Sequence, residues 1–557
     1  MKDHTRPFLA VVAVLALMSA GMVMIVPADD SSATIMTGTA GKNITWSFDS
    51  SSEVLTFSGT GEMYDYSNNP EENPFGDLQY PISTVIINSG ITYIGENLLW
   101  FGGNSRSITS VSISNTVTEI GEGAFASCGL TSITIPSSVT HIRASAFADN
   151  PDLASITLSE GLKSIAGDAF YNTGITSVSI PASVTSISGS AFSKSQLSEV
   201  TVNGSSVSYC SVDNVLFSKD KTTLVMYPSK KTNTEYTVPT NTTTIGEGAF
   251  RYADNIQSIN LPNTIERIEK SAFFSTKLAT INIPSSVSYI GNSAFSSTKL
   301  ATINIPSSVS YIGSYAFSST DLTEISIGAA EVGPSAFIYC KSLESVTFNG
   351  VISIGNSAFK GCTSLAEITV PLADLNNEIF AECTNLTSVL FEDGVTKIPQ
   401  GIFRNTSLTT VTIPLSVTTI QSYAFYGTNL ETAYVPNTTH ISTDSFPTTT
   451  NVIRYDPPVE ITSTQDDVSI ITGTNFSYNI ATAPADATIS VTGATWLNVS
   501  GHLIYGTVSE SGEYTITVSA YKDGYDVGSQ SFTVTVLSEL VFISGPSAGY
   551  IVQAGGQ

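Results

Sequence analysis

The sequence is poor in charge, in cysteine and in histidine, and each shortage closes off a class of function. Only 12% of its 557 residues are Asp, Glu, Lys or Arg. Carboxylates dominate among them, 47 against 22 Lys and Arg, for a formal charge of −25. A polyanion is repelled by such a chain at long range, so nucleic acid is not expected as a partner. Five Cys, none in a C-x-x-C pair, cannot build a disulfide scaffold or a structural zinc site. Four His leave little material for imidazole catalysis. What is present is a chain 41% hydrophobic, too apolar overall to be a disordered tail.

The N-terminus has the order of a secretory signal. Lys2 and Arg6 precede an apolar run from Phe8 to Val26, then Pro27-Ala28 and Asp29-Asp30, which places cleavage after Ala28 and makes residues 1–28 a signal peptide. The same 19 residues are just long enough to cross a bilayer, so an uncleaved N-terminal segment is the alternative, and the one route to a membrane. Either way the expected location is secreted or cell-surface.

A repeat organises most of the remaining chain. Residues 277–298 and 299–320 are identical except that Asn292 and Ser293 become Ser314 and Tyr315. The Phe near the end of this 22-residue unit recurs at Phe125, Phe147, Phe170, Phe192, Phe250, Phe273, Phe295, Phe317, Phe337, Phe359, Phe380, Phe403, Phe425 and Phe446, at spacings of 20 to 23 residues apart from one gap of 58. So short and constant a period predicts a solenoid, each coil burying its apolar edge against the next. In Leu130-Thr-Ser-Ile-Thr-Ile-Pro136, alternation turns Ile133 and Ile135 inward and Ser132 and Thr134 outward in a short strand that Pro136 ends. Ile-Gly pairs such as Ile120-Gly121 mark a bend, where Gly is expected to supply backbone angles that a side chain opposes. Fourteen such coils at ~4.8 Å give a stack ~70 Å long.

Together, the Leu at the strand start, Ile-x-Ile-Pro, Val-x-x-Ile-Gly and Ala-Phe resemble the BspA-like, or Treponema-type, leucine-rich repeats of surface proteins, over residues 81–452. The resemblance implies a mainly β solenoid with a parallel sheet. It also implies a β-hairpin insertion at about residues 203–238, matching Val212-Asp-Asn-Val-Leu-Phe217 and Leu224-Val-Met-Tyr-Pro228, and an N-terminal β cap over residues 29–80, where Ala40 replaces the usual Cys. Residues 453–458, with Pro457-Pro458, read as a linker. Alternating runs such as Tyr514–Ala520 and Phe532–Val536, with Trp496-Leu497 and Ile504-Tyr-Gly-Thr507, resemble an Ig-like or cadherin-like sandwich over residues 459–537. Residues 538–557 read as a tail or the start of a further domain.

Residues suited to chemistry are few. Gly545-Pro-Ser547-Ala-Gly549 matches G-x-S-x-G but no His follows it. His141 and His440 precede the bend Ile at a position that varies from Glu119 to Tyr289, which reads as an exposed loop. Cys128, Cys340, Cys362 and Cys383 each follow a repeat Phe by three residues and read as small buried hydrophobes in one column; a Cys340–Cys362 or Cys362–Cys383 bond is conceivable in an oxidising setting. Asp466-Asp467 and the Asp523/Asp526 pair read as solvated loop charge. No catalytic group, metal ligand or cofactor is expected. The strand face, by contrast, is a carpet of Ser, Thr and Asn with occasional carboxylates such as Glu367. Near its C-terminal end it presents Leu390, Thr412 and Tyr434, an aliphatic and an amphipathic aromatic side chain suited to gripping a partner. The expected function is therefore non-enzymatic adhesion or binding of an extracellular protein or glycan, the resemblance pointing to adhesion. The alternative is a structural component of the cell envelope or extracellular matrix.

Overall fold

The computed structural model describes residues 34–66, 73–75, 80–100, 107–456, 459–522, 525 and 527–538, and the backbone of the strands Ala16–Leu17, Met22–Ile25, Leu540–Val541 and Val552–Gln553. The proposed signal segment, the G-x-S-x-G match and the Asp523/Asp526 pair thus lie wholly or largely outside the described residues. Those residues form strands and turns, with no α-helix among them.

Three walls make each coil. The first is the predicted strand: Ser132–Ile135 alternates exposed and buried and pairs in parallel register with Ser155–Leu158, Ile133 against Ile156 and Ile135 against Leu158. The second wall is a ladder of two-residue strands that the sequence did not announce. Glu119–Ile120, His141–Ile142, Ser164–Ile165 and Ser186–Ile187 pair in parallel, and the buried Ile of each faces inward. His141 and His440 belong to this ladder and not to a loop; His141 Nδ1 lies 2.7 Å from Thr140 Oγ1. With one inward residue per coil, a strand this short leaves no alternation to detect. Gly in this wall also acts differently from expectation. Gly121, Gly291 and Gly313 do not have positive φ; a Cβ on them would meet the preceding coil's backbone at 2.6, 2.5 and 2.4 Å, so they are needed for close approach.

The third wall holds the Phe column. Rings 4.9 to 5.9 Å apart stack from Phe125 to Phe192 and from Phe250 to Phe446. Residues two before and two after almost every Phe sit in the left-handed region, as Ser145 (φ 55°) and Asp149 (φ 57°) do around Phe147; Ser190 before Phe192 and Thr448 after Phe446 are the exceptions. Alternate amides then reach the next coil, Phe147 N donating to Ala169 O at 2.8 Å and Asp149 N to Tyr171 O at 2.8 Å, while Ala148 N closes a turn onto Ser145 O. The buried backbone is thus satisfied without regular secondary structure.

Three residues after most of these Phe comes a buried small group with a hydrogen to donate, Ala253 and the exposed Thr449 being the exceptions. Thr173, Thr276, Thr298, Thr320, Thr406 and Thr428 donate their hydroxyls to the carbonyl of their own Phe at 2.8 to 3.1 Å. The column's cysteines are buried free thiols, three of them donating to the Phe carbonyl of a preceding coil: Cys340 to Phe317 at 3.0 Å, Cys362 to Phe337 and Cys383 to Phe359 at 3.3 Å.

The 58-residue gap holds a hairpin. Tyr209–Val212 and Val215–Ser218 pair antiparallel through Asp213 and Asn214, both at positive φ, the two-residue turn that matches strand twist. Thr223–Met226 then pairs antiparallel with Val215–Ser218 and parallel with Thr244–Ile245, which restarts the ladder. Tyr227 takes the missing place in the aromatic column, 4.9 Å from Phe250.

At the N-terminal end, Ile35–Gly41, Ile44–Asp49 and Val54–Gly59 form an antiparallel meander whose last strand pairs in parallel with Thr84–Ile87. Trp46, Phe48, Phe57 and Phe75 share one core with the first coils. At the other end, Asn451–Tyr455 pairs in parallel with Thr432–Pro436, so the solenoid's sheet extends to Tyr455, into the segment expected to be linker. Beyond it a separate core around Phe476, Ile504, Ile516 and Phe532 lies within two sheets. One orders the strands Val468–Ile471, Gly528–Leu537, Gly512–Tyr521 and Thr488–Thr492, and the other Asn475–Asn479, Leu503–Thr507 and Asn498–Ser500. Asp467 here accepts the Thr533 amide at 2.7 Å.

Candidate functional site: the strand face

The outward row of the first wall is set by alternation. In Glu367–Val370, Ile368 and Val370 are buried while Glu367 and Thr369 face solvent. The next strand, Ser388–Phe391, pairs Ser388 with Glu367 and Leu390 with Thr369. Leu390 is therefore offset along the strand from Glu367, and is 65% exposed. Thr412 pairs directly with Tyr434, which is 41% exposed, and Tyr434 pairs with Ile453 on its other side.

Ile453, 37% exposed, extends the apolar end of the row. Sequence reasoning missed it because the repeat motif fades at residue 452; the alternation in Asn451-Val-Ile-Arg-Tyr455 was the available signal. Arg454 fastens this last strand by donating Nη1 to Pro436 O at 2.8 Å and Thr439 O at 2.9 Å. An open depression of ≈ 340 Å³ lies between the strands of Leu390 and Thr412 and is lined also by Thr387, Thr410 and Pro414. A second, of ≈ 420 Å³, is lined by Thr302, Asn304, Glu324, Ser326 and Thr347 in the middle of the face.

The face is neutral to acidic, and its polar groups partly satisfy one another. Asn260 Nδ2 donates to Glu235 Oε1 at 2.8 Å, and Asn349 Nδ2 to Ser326 Oγ at 2.8 Å. Hydroxyls at the strand entrance, on Ser198, Thr323 and Thr387, donate to carbonyls of the preceding coil at 3.2 to 3.4 Å. Such a surface can offer hydrogen bonds, carboxylates and a few apolar contacts to a large partner. Among the described residues, no three His, Cys, Asp or Glu side chains converge as a metal site would require.

A family model for the BspA-type leucine-rich repeat region matches residues 71–198, 100–223, 226–341 and 330–453, more than half of the chain. The chain belongs to the BspA-type leucine-rich repeat family. Solved structures similar to this BspA-type chain include a leucine-rich repeat protein from Eubacterium ventriosum, at 24% identity over 76% of this chain and 96% of that one, with a TM-score of 0.44. A leucine-rich cell surface protein from Faecalibacterium prausnitzii matches at 20% over 66% and 97%, TM-score 0.38. The pneumococcal vaccine antigen PcpA matches at 19% over 78% and 99%, TM-score 0.38. No curated protein matches. A BspA-type solenoid of this kind is compatible, in general, with protein binding or adhesion.

Proposed function

We propose that this chain is a non-enzymatic, exported surface protein that binds an extracellular protein or glycan through its strand face, with Glu367, Leu390, Thr412 and Tyr434 at the contact and Ile453 beside them. The observation that carries this reading is the solvent exposure of Leu390 and Tyr434, with Ile453 beside them, on a face made mostly of small polar groups and carboxylates, since large apolar side chains held in water on a rigid sheet serve contact better than stability. Export rests on the N-terminal sequence pattern. In the same reading the N-terminal meander caps the solenoid, and the C-terminal unit is an Ig-like sandwich serving as spacer or second contact.

A structural role in the envelope or matrix is the second reading. The hydroxyls that spend themselves on neighbouring carbonyls favour it, because they stiffen the stack without addressing a ligand. Binding of the full chain to arrayed matrix proteins and glycans separates the two. Saturable binding weakened tenfold or more by Leu390→Ser with Tyr434→Ser supports the binding face; no binder beside firm envelope association supports the structural role.

A further inference from the structure

The two-residue ladder carries a second feature, on a different wall from the strand face. Its outward row reads Arg267, Tyr289, Tyr311, Glu331, Ser353, Asp374 over successive coils. Repeat duplication puts the two tyrosines in register, their rings 5.9 Å apart and 18° from parallel. On the N-terminal side the stack is closed within the molecule. The Arg267 guanidinium lies 4.1 Å from the centroid of the Tyr289 ring, and Arg267 Nε donates to Glu269 Oε1 at 2.7 Å. A guanidinium thus sits between an aromatic face and a carboxylate, the arrangement that cation–π attraction and charge pairing both favour.

On the C-terminal side the same ingredients are present without the cation. Tyr311 pairs with Glu331, and one coil beyond Ser353 comes Asp374. Both carboxylates are exposed, and neither makes an ion pair with a described residue. Beside them the surface turns apolar. In many coils the residue before this row is a Thr or Ser whose hydroxyl closes onto the preceding coil, as Thr118 does on Thr92 O and Ser310 on Ser288 O, both at 3.0 Å. At Ile352 that bond is given up for an aliphatic side chain 65% exposed, and Leu372, two residues before Asp374, is 57% exposed.

We propose that the stretch from Tyr311 to Asp374 is a second docking surface, for a protein segment that presents an arginine beside an aliphatic side chain. The arginine sits over the small Ser353, between two carboxylates that are unpaired among the described residues, and the segment continues across Glu331 to the tyrosine stack; the aliphatic group meets Ile352 and Leu372. Charge complementarity selects the occupant: an acidic segment is repelled here, and a neutral one leaves both carboxylates unpaired.

Fluorescence anisotropy of the full chain with a labelled Arg-Leu-Arg-Leu-Arg-Leu peptide tests this. The binding constant should weaken at least tenfold in Glu331→Lys with Asp374→Lys, and at least threefold in Tyr311→Ser. It should change less than twofold in Glu199→Lys with Glu235→Lys, a charge-matched control on the strand face. A Lys-Ser-Lys-Ser-Lys-Ser peptide should bind at least fivefold more weakly than the Arg-Leu peptide. Equal loss in both charge-reversed variants means general attraction to an acidic chain and overturns the proposal, as does equal binding of the two peptides or no binding at all.

Discussion

Leu216 and Phe217 are neighbours in sequence and fill different hydrophobic cores. Leu216, with Met226, packs into the core that runs from the N-terminal meander through Phe192 and Val200. Phe217, with Leu224 and Tyr227, packs into the core that continues to Val435. Strand alternation in the hairpin thus makes it a partition with one face in each block. Across the partition, the Arg251 guanidinium pairs with Asp168 and lies over the rings of Tyr171, Tyr252 and Phe274.

The partition predicts separable folding units, because a solenoid's stability is a sum of local and nearest-neighbour terms. Leu216→Ala should cost about 2–5 kcal/mol and Phe217→Ala about 3–5 kcal/mol. Native-state hydrogen exchange should show the first loss concentrated at residues 84–202 and the second at residues 244–435. Uniform loss over both blocks from either variant would refute the partition.

Tyr227 carries a hydroxyl that is buried with no hydrogen-bond partner among the described residues, while its ring begins the second block's column by stacking on Phe250. An unsatisfied buried hydroxyl costs about 1–3 kcal/mol. Tyr227→Phe should therefore raise stability, by about 1 kcal/mol, and Tyr227→Ala should lower it by about 3–5 kcal/mol. Chemical denaturation of the two variants checks the sign of the first and the size of the second.

Thiol chemistry should follow burial. Of the five cysteines only Cys210 is not fully buried, so alkylation of the native protein at pH 8 should modify one site, and five after unfolding. Burial pushes the Cys128 thiol up from 9.0 to about 12. A folded-state value above the unfolded one gives stability that is complete below pH 9 and is lost as the pH rises through about 12. Cys128→Ala should therefore flatten the alkaline limb of the stability profile between those limits, as denaturation midpoints at stepped pH will register.

Left-handed backbone at the flanks of most of these Phe makes side-chain choice there a stability lever. At Ser293 (φ 54°), Ser293→Asn should be neutral to mildly stabilising, and Ser293→Val should cost about 1–2 kcal/mol, because a β-branched residue opposes that region. Thermal melts of both variants compare the two directly.

Much of this fold was legible because it is periodic. Ile133 and Ile135, and the Phe at 20 to 23-residue spacing, announce the strand wall and the aromatic column by repetition alone. The second ladder was hidden because His141-Ile142 is too short to alternate. Tyr227 was hidden because the hairpin breaks the count across which it would have been recognised. At the candidate site, Leu390 and Tyr434 stood out as large side chains in a small polar row. Ile453 did not, since the Pro457-Pro458 pair drew the boundary too early, and the offset of Glu367 from Leu390 needed the register itself.

The binding face is tested most directly by placing the photocrosslinker benzoylphenylalanine, in separate full-length proteins, at positions 434 and 179, both on the strand face and far apart along it. Each is irradiated with the array-identified ligand bound. The account predicts covalent adducts from position 434 and few or none from position 179. Adducts from position 179 alone, or equal yields from both, would contradict it.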